Sequence, residues 1–113
     1  MHEYAITENI IKTVTEEAKK AGADKITKIT LVIGDLSSIV DESVQMYFDI
    51  ISKGTIAQEA RLEFKRVSAE YRCISCGTLF TRRGSKYDCP ECGGEGRLTD
   101  KGREFYIESI EVD

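Results

Sequence analysis

Two pairs of cysteines, Cys73-Ile-Ser-Cys76 and Cys89-Pro-Glu-Cys92, are separated by twelve residues. A pair at i and i+3 lets two sulfurs meet one cation from a single turn, and two such pairs close a tetrahedron of thiolates. Gly77 follows the first pair and Gly93-Gly94 the second, where a tight knuckle needs a residue that accepts positive φ. Pro90 pre-sets the second turn. Four soft sulfurs with no open position suit a structural Zn²⁺ at Cys73, Cys76, Cys89 and Cys92, although iron shares this ligand set. Buried or disulfide-bonded cysteines and a redox pair are the competing readings. A reducing compartment disfavours disulfides, and a redox site uses one CxxC at a helix start rather than two matched knuckles. A closed site contributes folding free energy, on the order of 10 kcal/mol apparent at neutral pH.

The amino terminus, Met1-His2-Glu3, offers different chemistry. The Met1 amine, the His2 backbone nitrogen and the His2 imidazole can chelate one ion in adjoining rings, and the Glu3 backbone nitrogen completes four nitrogens in a plane. Such a set suits Ni(II) or Cu(II) better than tetrahedral zinc. Binding releases protons and strengthens as pH rises. The competing reading is an ordinary surface histidine on an uncommitted terminus.

His2 is the one histidine in the chain. No Ser-His-Asp or Cys-His arrangement can form without it. No glycine loop is patterned to cradle phosphate, and the metal shell is closed, so an enzyme is not expected. The net charge of −4 argues against non-specific binding to nucleic acid. Residues 72–97 hold Arg72, Arg82, Arg83, Lys86 and Arg97 against Asp88, Glu91 and Glu95, which gives +2 there and −6 elsewhere. Four thiolates around Zn²⁺ carry −2, so these cations read first as local charge balance and solvated surface. No apolar run reaches the ~20 residues of a membrane helix. MHEYAITENI lacks the basic-then-apolar order of a signal peptide, so a cytoplasmic location is expected.

These groups need elements to position them. Ile6, Ile10, Val14 and Ala18, widened by Ile11 and Ala21, form the stripe of a first helix that stops at Gly22. Residues 27–33 alternate, with Ile29, Leu31 and Ile33 on one face, and predict a strand closed by Gly34-Asp35. Val40, Val44, Tyr47, Phe48 and Ile51 predict a second helix, capped by Ser38 or Asp41 and ended by Gly54. Residues 60–72 read as one long strand whose apolar phase changes, which suggests a bulge near Lys65-Arg66. Residues 73–98, rich in Cys and Gly, cannot build a core alone. Residues 104–112 return to strand chemistry. The expected fold is α/β (α+β): a small mixed sheet of about three strands with two helices, plus an inserted zinc-ribbon-like module. Residues 1–69 and 102–113 would form the α/β domain, and 70–101 the zinc-binding domain.

The stretches MHEYAITENI, LVIGDLSSIVDESVQMYFDII and GREFYIESIEVD, set around the two CxxC pairs, resemble the hydrogenase nickel-incorporation proteins of the HypA/HybF family. The resemblance spans nearly the whole chain. It implies a nickel metallochaperone serving maturation of [NiFe]-hydrogenase, and in some organisms urease. The implied nickel site is the Met1 amine, His2 and Glu3, and the implied zinc site is Cys73, Cys76, Cys89 and Cys92. The implied partners are a nickel GTPase of the HypB type and the [NiFe]-hydrogenase large subunit; a homodimer is one candidate assembly, and neither nucleic acid nor membrane is an expected partner. Some relatives recruit a further histidine near the zinc module; no second imidazole exists here. The alternative function is a zinc-ribbon module that binds nucleic acid or a protein complex.

Overall fold

The structure, a computed structural model, describes residues 3–82 and 87–113. The elements in chain order are α1 (Glu3–Lys20), β1 (Ile26–Gly34), α2 (Asp41–Ile51), β2 (Arg61–Val67), β3 (Glu70–Cys73), β4 (Leu79–Thr81), β5 (Gly96–Leu98) and β6 (Phe105–Val112). Two sheets form, ordered β2-β1-β6 and β4-β3-β5.

The first sheet is mixed. Asp24 donates to the Asp113 carbonyl and Gly34 to that of Glu104, so β6 runs against β1. The Thr30 hydroxyl reaches Glu63, and Asp35 donates to the Val67 carbonyl, so β2 runs with β1. A parallel neighbour requires a crossover, and α2 supplies it.

The chain divides into two compact units. One comprises Met1–Val32, Ser38–Lys65 and Tyr106–Asp113; the other comprises Ile33–Ser37 and Arg66–Phe105. In the first unit α1 buries Ile10, Ile11, Val14 and Ala18, α2 buries Val44 and Phe48, and β1 adds Ile26, Ile29 and Leu31. Helix α1 ends as its composition requires. Gly22 takes φ 69°, which frees Ala23 to donate to the Ala18 carbonyl at 3.0 Å.

Four local expectations change. The strand alternation of β1 is lost, because Thr30 and Val32 are as buried as Ile29 and Leu31. That is the behaviour of a central strand covered on both faces. Helix α2 has neither Ser38 nor Asp41 as cap: Val40 occupies the N-cap without a side-chain bond, and Ser38 sits at φ 66°. Its other end comes at Ile51 with Ser52 as C-cap, ahead of Gly54. The long strand over 60–72 is two strands, β2 and β3, in different sheets and separated at Ser68-Ala69. The phase change therefore marks a handover between sheets rather than a bulge.

In the second unit, Gly34-Asp35-Leu36 is stapled to residues 102–104. Gly34 donates to the Glu104 carbonyl and Leu36 to that of Gly102, each at 2.7 Å. A Cβ on Gly34 would overlap the Gly102 carbonyl group, so only glycine allows this approach. Strands β4, β3 and β5 make a small antiparallel sheet, with Tyr71 opposite Phe80 on one side and Leu98 on the other. Tyr71 and Phe80 stack at 5.6 Å over the buried Cys73 and Cys89. Among the described residues no helix is long and apolar enough to cross a membrane.

Candidate metal centre

The two cysteine pairs adopt one geometry twice. Cys73 donates its N–H to the Thr78 carbonyl, and Gly77 returns a bond to the Cys73 carbonyl. Cys89 donates to the Gly94 carbonyl, and Gly93 returns a bond to Cys89. Gly77 and Gly93 take φ 77° and 75°, the left-handed conformation their sequence positions imply. Strand β3 delivers Cys73 at its last residue. The Ile74 N–H donates to the Glu95 carbonyl at 3.0 Å and ties the two knuckles together.

The four sulfurs converge. All lie within 4.8 Å of one another, with Cys73 to Cys92 at 3.4 Å and Cys76 to Cys89 at 3.6 Å. A tetrahedral zinc with sulfurs at ~2.3 Å requires edges of about 3.8 Å. All four cysteines are free; Cys73 and Cys89 are buried, Cys76 and Cys92 exposed. Backbone packs close around the cluster: a Cβ on Gly94 would stand 3.1 Å from the Cys73 sulfur and 3.3 Å from that of Cys92. Among the described residues no carboxylate or imidazole joins the set. The donor chemistry, the convergence and the closed shell all fit zinc.

Crowding sets the thiols against one another. The Thr78 hydroxyl, 3.0 Å from the Cys76 sulfur, and the Thr78 N–H hold Cys76 down at about 6. Hydrogen bonding from the Cys76 N–H, partly opposed by burial, lowers Cys73 as well. At Cys92 the Gly94 N–H pulls downward, but the Cys73 and Cys76 sulfurs, burial and Cys89 together push it up to about 12. Thiolates that resist ionising together are what a divalent cation at their centre reconciles. Thr78 did not figure among the expected site residues; a hydroxyl two positions after a cysteine was its only signal.

Of the expected nickel residues, Met1 and His2 lie outside the described residues. Glu3 opens α1 and is 8% exposed. Its carboxylate accepts the Val40 N–H at 3.4 Å, and its carbonyl accepts the Thr7 hydroxyl at 2.6 Å. Glu3 and Thr7 continue the buried stripe of Ile11, Val14 and Ala18. A glutamate on the inward face of a helix is the signal that could have marked its side chain as engaged. Tyr4 meets Tyr47 edge-on at 5.3 Å and packs the same end of α1 against α2.

The family model described as HypA, a hydrogenase/urease nickel-incorporation metallochaperone, matches residues 1–112. The chain belongs to the HypA family. The hydrogenase maturation factor HypA of Caldanaerobacter subterraneus subsp. tengcongensis is 49% identical over 114 residues, covering all of both chains. That of Dehalococcoides mccartyi is 49% identical over 113 residues, all of this chain and 95% of the relative. The solution structure of the Ni metallochaperone HypA from Helicobacter pylori has a TM-score of 0.65 at 25% identity, covering 99% of this chain and 97% of that one. A second solution structure of a HypA protein reaches 0.69 at 26% identity, covering 99% and 96%. HypA is thus a family of nickel metallochaperones for hydrogenase maturation, and the four-cysteine cluster fits its structural zinc.

Proposed function

We propose that this chain holds one nickel ion at the Met1 amine, His2 and Glu3, and hands it to the [NiFe]-hydrogenase large subunit during maturation. Urease is a second recipient where it is present. Cys73, Cys76, Cys89 and Cys92 hold zinc and serve as its structural site. The carrying observation is the family match over residues 1–112, which takes in both Met1-His2-Glu3 and the four cysteines. Glu3 supports the reading independently, since its buried carboxylate ties the start of α1 to the start of α2 and gives the chelate a fixed root.

Residues 1–69 and 102–113 form the nickel-binding domain in this reading, and 70–101 the zinc-binding domain. The protein carries metal and does not turn substrate over. It works in the cytoplasm, with a GTPase of the HypB type as partner, and self-associates as a homodimer. Nickel is exchangeable while zinc stays bound. Titration of nickel into zinc-loaded protein with a native Met1 amine tests this. One nickel per chain, lost in His2→Ala, is expected; unchanged affinity in His2→Ala would remove the proposed site.

A further inference from the structure

Arg72 and Arg97 are direct partners across the antiparallel pair β3–β5. Like charges facing each other on neighbouring strands destabilise a sheet. Among the described residues neither guanidinium pairs with a carboxylate. Arg72 reaches only the Gly77 carbonyl, at 3.4 Å. Both side chains are exposed.

Charge balance for the thiolates does not account for this pair. Tyr71 and Cys73 turn to the buried face of the sheet with Phe80, so Arg72, between them in β3, turns to the opposite face. That face is partly apolar. Leu79 is the partner of Arg72 on the other neighbouring strand and is 47% exposed, and Ile74, one knuckle residue onward, is 55% exposed. Arg72, Ile74, Arg97, Thr99 and Asp100, with Cys73 and Leu98, line a shallow hollow of about 330 Å³. Arg103 donates to the carbonyl of Thr99, one of the lining residues, at 3.1 Å.

We propose that this outer face of the β4-β3-β5 sheet is a docking surface for an acidic protein segment, with a carboxylate seated between Arg72 and Arg97 and an apolar side chain against Ile74 or Leu79. Paired guanidiniums match carboxylate geometry, and their mutual repulsion is relieved when an anion sits between them. The unit that holds the face carries +1, while the rest of the chain carries −5. A nucleic acid fits worse: among the described residues the face has no aromatic side chain for bases to stack on, and the acidic remainder repels phosphates.

The test uses the zinc-loaded full chain and a fluorescent synthetic peptide of alternating glutamate and leucine, followed by anisotropy at physiological salt. Binding is expected, with amide shifts at Ile74 and Arg97 and none for the glutamine–leucine analogue. Arg72→Gln/Arg97→Gln should retain zinc and weaken binding by about tenfold or more, and Arg72→Lys/Arg97→Lys should keep part of it. Equal binding by the glutamine double variant, or no binding by the parent, overturns the proposal. So does displacement by a single-stranded oligonucleotide below the peptide's own concentration. Loss of zinc from the glutamine double variant also overturns it, because the arginines would then serve the metal site. Nickel binding at the amino terminus is measured separately, so the two readings stand or fall apart.

Discussion

The Glu3 carboxylate accepts the backbone N–H of Val40 at 3.4 Å, thirty-seven residues away in the chain. Val40 is the N-cap of α2 and has no side-chain cap of its own. The start of a helix presents unpaired N–H groups and the positive end of its dipole, so a carboxylate there is favoured. The same residue contributes a backbone nitrogen to the proposed chelate. In that proposal its two halves do different work, the side chain anchoring and the main chain binding. Glu3→Ala should cost about 1–2 kcal/mol of stability, the value of a buried hydrogen bond left unpaired, and speed exchange of the Val40 amide. Nickel affinity should fall while the planar-nitrogen absorption band stays in place. Glu3→Gln keeps an acceptor and should restore most of both. If Glu3→Ala instead changes the nickel spectrum itself, the carboxylate is a ligand rather than an anchor.

An exposed ion pair sets a second expectation. Lys25 and Glu59 meet at 2.8 Å, beside the bond from the Ile26 N–H to the Ile56 carbonyl. The hydrogen bond and then the charge of Lys25 lower the Glu59 carboxyl, and Glu59 raises Lys25 in the same way. A lowered carboxyl stabilises the fold above its unfolded value of 4.5 and loses that contribution as pH falls through the lowered one. A raised lysine stabilises below 10.5 and loses it as pH rises through the raised value. The pair therefore acts between those limits. Carbon-detected NMR titration should find Glu59 below 4.5. Lys25→Met, or about 1 M salt, should return it to the ordinary value because the pair is open to solvent.

The parts of the molecule legible in its residues are those whose cause is local. The knuckles repeat one hydrogen-bond pattern because Cys, two spacers, Cys and Gly each occupy the position their chemistry needs. Helix α1 follows its stripe and stops at Gly22 for the same reason. What was not legible depends on distant partners. The break at Ser68-Ala69 shows in the residues only as a change of apolar phase, which does not say that a different sheet receives the second strand. The burial of Thr30 and Val32 depends on β1 being central, which its own alternation does not say. The acceptor for the N–H of Val40, the N-cap of α2, could not be found near α2, because it comes from α1. At the candidate metal centre the convergence of the four cysteines was readable by spacing, while the Thr78 hydroxyl on Cys76 needed the turn to be built first.

Gly34 is a place where a single methyl should matter. Its backbone runs against Gly102, which itself stands at φ 105°. A Cβ at position 34 would meet main-chain atoms, which cannot swing aside as a side chain can. Gly34→Ala must therefore open the bonds from Gly34 to Glu104 and from Leu36 to Gly102. A loss of about 2–4 kcal/mol is expected, in the range of overpacking with broken backbone bonds. Chemical denaturation measures it. A variant as stable as the parent would mean that the 34–36 turn can relax away from residues 102–104.

Zinc removal should divide the chain's stability unevenly. The β4-β3-β5 sheet has strands of three or four residues, and its core is Tyr71, Phe80, Cys73 and Cys89. Half of that core consists of cysteines of the proposed zinc site, so little apolar cluster remains among the described residues when the thiolates are released. The unit holding α1 and α2 buries its own set of Ile, Val, Leu and Phe side chains and contains none of the four cysteines. Chelation, or Cys89→Ser, should therefore collapse the amide signals of residues 70–82 and 87–98 while those of Ile10, Val14, Val44 and Phe48 persist, and helical circular dichroism should change little. Restoring zinc to the chelated protein should restore the lost signals. Cys92→Ser, at an exposed ligand, should weaken zinc with less damage to packing than the buried Cys89→Ser. Simultaneous loss of both signal sets on chelation would instead make zinc the keystone of the entire fold.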